Sequence, residues 1–238
     1  MCGRFALTLP VDAMARLFAA RPDNDLPELP DHNICPSSRI AVVLAGERQQ
    51  DDSEGTAPDT AARPARRLRA MRWGFVPRWY KAPTDGPLLI NARGETLATK
   101  PAFRDAARLR RCLIPVSGFY EWTRDPGTGA RLPWYISPCD GAVMCLAGIW
   151  QGWGAGDARL MTCAIVTTAA GPDVAHLHDR QPVILPPAAQ GLWLGEEGHG
   201  AARLMRPSDG GTLRAWRVGT AVNSNRARGA GLSEPITS

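Results

Sequence analysis

Short apolar runs separated by turn residues dominate this chain, and only a few stretches carry helical spacing. Period-two patterning predicts strands at Phe5 to Leu9, Ile40 to Leu44 and Arg67 to Phe75, where Leu68, Ala70 and Arg72 alternate against Arg69, Met71 and Trp73. Leu88 to Ile90 reads as an apolar strand end that delivers Asn91 and Arg93 to one side before the chain breaks. Further strands are predicted at Arg111 to Val116, leading into Ser117 to Trp122, and at Pro133 to Ser137, Ala142 to Trp150, Leu160 to Thr168, Val183 to Leu185 and Ala215 to Val218. Gly127-Thr128-Gly129 and Gly152 to Gly156 suit hairpin turns. Helical spacing appears at Val11 to Ala20, where Val11, Met14, Leu17 and Phe18 share a face and Thr8 offers a cap. It recurs from Ala102 to Leu109 behind Pro101, and in two short helices between Pro186 and Met205. No internal repeat is visible.

With 238 residues, 44% of them hydrophobic, the chain can bury one large core, expected over 1–225. Residues 46–64 are polar and small and predict a mobile surface insertion. Arg226 to Ser238 is rich in Gly and polar residues and is expected to fray as a flexible tail. No apolar run approaches the roughly 20 residues of a membrane-spanning helix. No basic region followed by an apolar one opens the chain, so a cytoplasmic protein with no membrane partner is expected.

The net charge of +5 favours polyanionic partners modestly. Lys81 and Lys100 are the only lysines, so nearly all the positive charge is arginine. A GC-rich genome accounts for that equally well, yet arginine makes forked contacts to phosphate that lysine cannot. The six cysteines form no Cys-x-x-Cys pair and have no adjacent histidine at zinc-ligand spacing, so neither a metal nor another cofactor is expected.

The candidate chemistry starts at Met1-Cys2-Gly3-Arg4-Phe5. Once Met1 is trimmed, Cys2 carries an α-amine and a thiol, with reference pKa values of about 8 and 8.5, so both are partly deprotonated near neutral pH. Such a 1,2-aminothiol captures an aldehyde as an imine and then closes a thiazolidine. The alternative is a buried cysteine at a strand start. If alternation already holds there, Cys2 and Arg4 project to the same side.

Other stretches leave comparable pairs of readings open. Arg72 to Lys81 interleaves Trp73, Phe75 and Trp79 with basic residues, which suits base stacking beside phosphates or plain core filling. Asn91 and Arg93 are site residues or satisfied turn residues. Glu121, between Tyr120 and Trp122, is either a desolvated carboxyl suited to proton transfer or an outward-facing strand residue. His176 and His178 have the spacing of metal ligands but lack a third, and a proton shuttle suits His178 better.

Taken together these motifs resemble the SOS response-associated peptidase-like (SRAP) family, proteins that shield abasic sites in single-stranded DNA. The resemblance is carried by residues 1–5, Asn33-x-x-Pro36, Trp73-Gly74-x-x-Pro77, Ile90-Asn91-Ala92-Arg93-x-Glu95-Thr96, Gly118-Phe119-Tyr120-Glu121-Trp122 and His178-Asp179-Arg180-x-Pro182. It implies an α+β fold, with a barrel-like, mainly antiparallel β core flanked by helices. It implies a catalytic set of Cys2, Asn91, Glu121 and His178, with Cys2 attacking the ring-opened aldehyde. Asn91 would position the amine or the sugar, Glu121 would shuttle protons, and His178 would assist sugar-ring opening. Arg4, Asn33, Pro36, Trp73, Trp79, Arg93 and Thr167 would form the DNA-binding set. The implied partner is single-stranded DNA bearing abasic sites, including sites at single-strand/double-strand junctions. The protein would be a monomer, associated with the nucleoid when bound to DNA. An N-terminal-cysteine peptidase that processes Met1, and a non-covalent single-strand-binding module, are the alternatives.

Overall fold

The computed structural model describes residues 2–46, 65–156 and 159–236, so nearly all of the expected insertion lies outside the described residues. Among the described residues, thirteen strands alternate with three short α-helices and several 3-10 turns. The strands are β1 (Phe5–Leu7), β2 (Ala20–Pro22), β3 (Asp31–Ile34), β4 (Arg39–Leu44), β5 (Arg66–Trp73), β6 (Asn91–Arg93), β7 (Arg111–Val116), β8 (Gly118–Arg124), β9 (Arg131–Pro138), β10 (Met144–Trp153), β11 (Leu160–Ala169), β12 (Arg180–Pro182) and β13 (Leu213–Arg217). The helices are α1 (Val11–Leu17), α2 (Arg104–Leu109) and α3 (Pro187–Leu194).

Strands β11, β10, β7, β4 and β5 pair in that order, and β5 returns to β11 through Arg72 opposite Thr162 and Trp73 opposite Cys163. The sheet therefore closes into a five-stranded barrel. An odd number of strands cannot alternate direction all the way round, so one seam must be parallel, and β5–β11 is that seam. Val43, Leu68, Leu113, Ile114, Ile149 and Ile165 belong to its buried core. The barrel-like, mainly antiparallel architecture is the one expected.

A second sheet, in the order β13-β9-β8-β1-β3, packs beside the barrel. Along β8, Phe119 joins the barrel core while Tyr120 joins a smaller cluster with Ala6, Tyr135, Val218, Val222 and Leu232. That alternation turns Glu121 toward the barrel. The β8–β9 hairpin is held by Asp125, whose Oδ1 accepts from the Gly127 and Thr128 amides and the Thr128 hydroxyl. Gly118 opens β8 where a side chain would strike the Tyr135 ring and come within 2.7 Å of the Ile136 carbonyl oxygen.

Four local expectations are corrected. Helix α1 ends at Leu17, and Thr8 does not cap it, because the Thr8 amide and hydroxyl both engage Ser117 Oγ. Leu88 to Ile90 and Val183 to Leu185 contribute only the isolated bridges Phe75–Leu89 and Leu146–Ile184; the strands there are β6 and β12. Cys2 packs in the barrel core, whereas Arg4 reaches Val222 and Trp122 beside the smaller cluster, so the two point apart. Strand geometry starts only at Phe5, and alternation does not extend back to Cys2. The residues after 225 do not fray as far as Ile236: Leu232 is buried, the Trp216 indole donates to Ser233 O, and Val218 bridges Pro235.

Candidate active site

Residues Cys2 to Arg4 directly precede β1. Pairing of β1 with β8 continues past Phe5–Phe119, since the Tyr120 amide donates to Arg4 O at 2.9 Å. This brings the N-terminal segment alongside Glu121. Cys2 is fully buried. Its burial, with the neighbouring Glu121 carboxylate, pushes the thiol well above its ordinary range, so the resting sulfur is a neutral thiol.

Asn91 opens β6, which lies parallel to β11 with Asn91 opposite Ile165. Its Nδ2 donates to Cys2 O at 2.8 Å. Its Oδ1 is buried and takes no hydrogen bond from any described residue. Glu121 is only 4% exposed, and burial raises its pKa, with the nearby charge of His178 among the opposing influences. His178 precedes β12 and is partly exposed. Its Nδ1 lies 2.9 Å from the Arg180 amide and 2.7 Å from Asp179 Oδ1. The two contacts require opposite states of one nitrogen: bare to accept from Arg180 N–H, protonated to donate to Asp179. Nδ1 thus has a partner with or without its hydrogen.

The fold therefore brings Cys2, Asn91, Glu121 and His178 together. The expected DNA-binding set divides. Arg4 is partly committed, donating to Asn33 Oδ1 at 2.6 Å and Val222 O at 3.0 Å, with its guanidinium 5.7 Å from the Trp122 ring centre. Arg93 is exposed, Pro36 is half-buried in the turn after β3, and Trp79 is 59% exposed.

Trp73, Asn33 and Thr167 lie beneath the surface. Trp73 is enclosed against Phe5, with its indole N–H on Ile90 O at 3.0 Å. Asn33 is buried, with Nδ2 tied to Ser224 O and Ala227 O, and it reaches the surface only through Arg4. Thr167 is buried and accepts from Arg180. Cys35 is half-buried; burial raises its thiol, which donates to Asn33 O. All six cysteines are free, and no group of three His, Cys, Asp or Glu side chains assembles as a metal site among the described residues.

Glu95 and Arg180 lie within the matched motifs. They form a bidentate ion pair at 2.6 and 2.8 Å beside His178. No local sequence signal links two residues so far apart.

Fold and site define a small β-barrel protein with a buried Cys2 beside Asn91, Glu121 and His178. The family model described as SOS response associated peptidase (SRAP) matches residues 1–225, and the chain belongs to that family. Abasic site processing protein YoqW of Bacillus subtilis is 34% identical over 242 residues, covering 98% of this chain and 99% of that protein. Abasic site processing protein YedK of Escherichia coli is 29% identical, covering 99% and 100%. A protein of Bacteroides thetaiotaomicron known from its crystal structure shares the fold, with a TM-score of 0.79 at 21% identity over 99% of this chain and 100% of that one. No helix among the described residues is long and apolar enough to cross a membrane.

Proposed function

We propose that this protein processes abasic sites by capturing them in single-stranded DNA as a covalent thiazolidine on Cys2, after removal of Met1. The observation that carries the proposal is the Asn91 hydrogen bond that holds Cys2 beside the buried Glu121. The names of the relatives, abasic site processing proteins, agree with the substrate.

An abasic deoxyribose is mostly a closed hemiacetal. His178 takes the proton from its hydroxyl while the ring oxygen is protonated, which exposes the aldehyde. The Cys2 amine adds to that carbon, and Glu121, whose raised pKa favours the acid form, protonates the departing hydroxyl. Water leaves and an imine forms. The Cys2 thiol then adds to the imine carbon, and its proton ends on the nitrogen. One C–N and one C–S bond form and one water is released from the open aldehyde, with no change of oxidation state. Ring closure removes the imine that would otherwise promote β-elimination and strand breakage.

Arg4 and Arg93 hold phosphates around the lesion, and Trp79 stacks a flanking base, including at a single-strand/double-strand junction. Asn33 contributes by fixing Arg4. Affinity falls as salt rises. Intact mass spectrometry tests the chemistry: the adduct should weigh the Met1-processed protein plus the oligonucleotide less one water. Recovery of unmodified protein and DNA would contradict it. Turnover of a peptide library by the same protein would instead favour the peptidase reading.

A further inference from the structure

Glu95 lies in the 3-10 turn Gly94–Thr96, directly after the strand that carries Asn91. Its carboxylate grips Arg180 Nη1 at 2.6 Å and Nη2 at 2.8 Å, while Nη2 also donates to Thr167 O at 3.0 Å on β11. The backbone N–H of the same Arg180 donates to His178 Nδ1 at 2.9 Å. A single bidentate clamp therefore ties the segment that holds Cys2, through Asn91, to the segment that carries His178.

We propose that Glu95 is a positioning residue for His178, acting through Arg180 to fix where the imidazole sits relative to Cys2 and Glu121. This rests on the proposed capture of abasic DNA. Stability alone is a poor account of the pair, because Glu95 is about half exposed and such ion pairs add little. What the fork geometry supplies is orientation. Arg180 is largely covered, with a side chain 14% exposed, so its position is set by Glu95 and Thr167 more than by solvent. The Arg180 guanidinium holds the Glu95 carboxyl below its ordinary range, which keeps the clamp charged through neutral pH. A carboxylate beside a track for phosphates disfavours DNA binding, so its presence there calls for a compensating role. When Nδ1 carries its proton toward Asp179 Oδ1, Nε2 is bare and takes up proton transfer at the sugar, and displacement of the 179–180 turn displaces that nitrogen.

The test measures single-turnover crosslinking at saturating protein, across the neutral pH range, on a single-stranded oligonucleotide bearing one abasic site. It compares Glu95→Gln, Glu95→Asp, His178→Ala and the double variant Glu95→Gln/His178→Ala with wild type. Glu95→Gln should slow the saturating rate by on the order of tenfold and alter the pH profile, as misplacement of a catalytic group does. Glu95→Asp, which keeps the charge, should recover part of the loss. Binding of an intact oligonucleotide should stay equal or tighten. In the His178→Ala background Glu95→Gln should change the rate by less than about twofold, since coupled residues are not additive.

Equal slowing in both backgrounds, or none in wild type, would overturn the inference. Wild-type rates for His178→Ala would overturn it as well, while leaving capture by Cys2 standing. No crosslink with wild type would instead sink the proposed function itself.

Discussion

Asn91 donates its side-chain N–H to the backbone carbonyl of Cys2 at 2.8 Å, which fixes the N-terminal segment from a strand in the other sheet. The bond leaves the Cys2 side chain and amine out of the restraint, so it orients the reactive residue without consuming its nucleophiles. Asn91→Ala should cost about 1 kcal/mol of stability, the usual worth of one hydrogen bond. The larger effect should be on rate, with crosslinking at saturating DNA slowed by on the order of tenfold or more. Thermal melts and single-turnover kinetics on the same variant separate the two.

Glu121 carries a pH signature. Its folded pKa is raised above the ordinary value by burial. The folded state therefore binds its proton more tightly than the unfolded chain does. The stability from this proton is fully present below the unfolded pKa of about 4.3 and is lost as pH rises through the folded value. Glu121→Gln removes that loss. The variant should melt higher than wild type at neutral pH, by a margin that shrinks toward pH 4 or so. The same variant should crosslink far more slowly, and a melting series over pH paired with crosslinking rates checks both.

Asn33 is a buried joint between Arg4 and the segment after 223. Its Oδ1 accepts from Arg4, and its Nδ2 donates to Ser224 O at 3.1 Å and Ala227 O at 2.8 Å. Asn33→Ala leaves two carbonyls and a guanidinium short of partners, so it should destabilise by about 1–3 kcal/mol. Loss of Arg4 positioning should weaken binding to an oligonucleotide in a salt-dependent way. Chemical denaturation and a salt titration of affinity measure the two effects.

Trp73 and Trp79 should behave oppositely. Trp73→Ala empties a fully buried site in the barrel and should cost about 3–5 kcal/mol of stability. Trp79→Ala removes an exposed ring, so it should leave stability nearly unchanged and weaken single-strand binding by about 1–3 kcal/mol if a base stacks there. Parallel denaturation and binding curves for the two variants decide the assignment.

Much of this could be read from sequence, and the failures have physical causes. Alternation locates most strands, and Gly127-Thr128-Gly129 marks the β8–β9 hairpin, because both are local patterns. Barrel closure is not local: the β5–β11 seam joins Arg72 to Thr162 and Trp73 to Cys163 with no motif to announce it. Asn91 and Glu121 stand out as polar residues beside or within apolar strands and His178 as a histidine suited to proton transfer, and the fold brings all three close to Cys2. Trp73 and Trp79 are the same residue type in one aromatic-basic stretch, so only packing separates core from surface. The segment after 225 reads as a tail because its glycines and polar residues mask Leu232, which joins the smaller cluster with Tyr120 and Val222. The Glu95–Arg180 clamp is invisible for the same reason as the barrel seam.

The most direct test of the central claim is denaturing gel electrophoresis of the Met1-processed protein with a single-stranded oligonucleotide bearing one abasic site. Cys2→Ala and an intact oligonucleotide serve as controls. The account predicts a shifted band that survives heat and denaturant and requires both Cys2 and the lesion. If mass spectrometry confirms a free Cys2 amine and no such band forms, covalent capture by this site is contradicted.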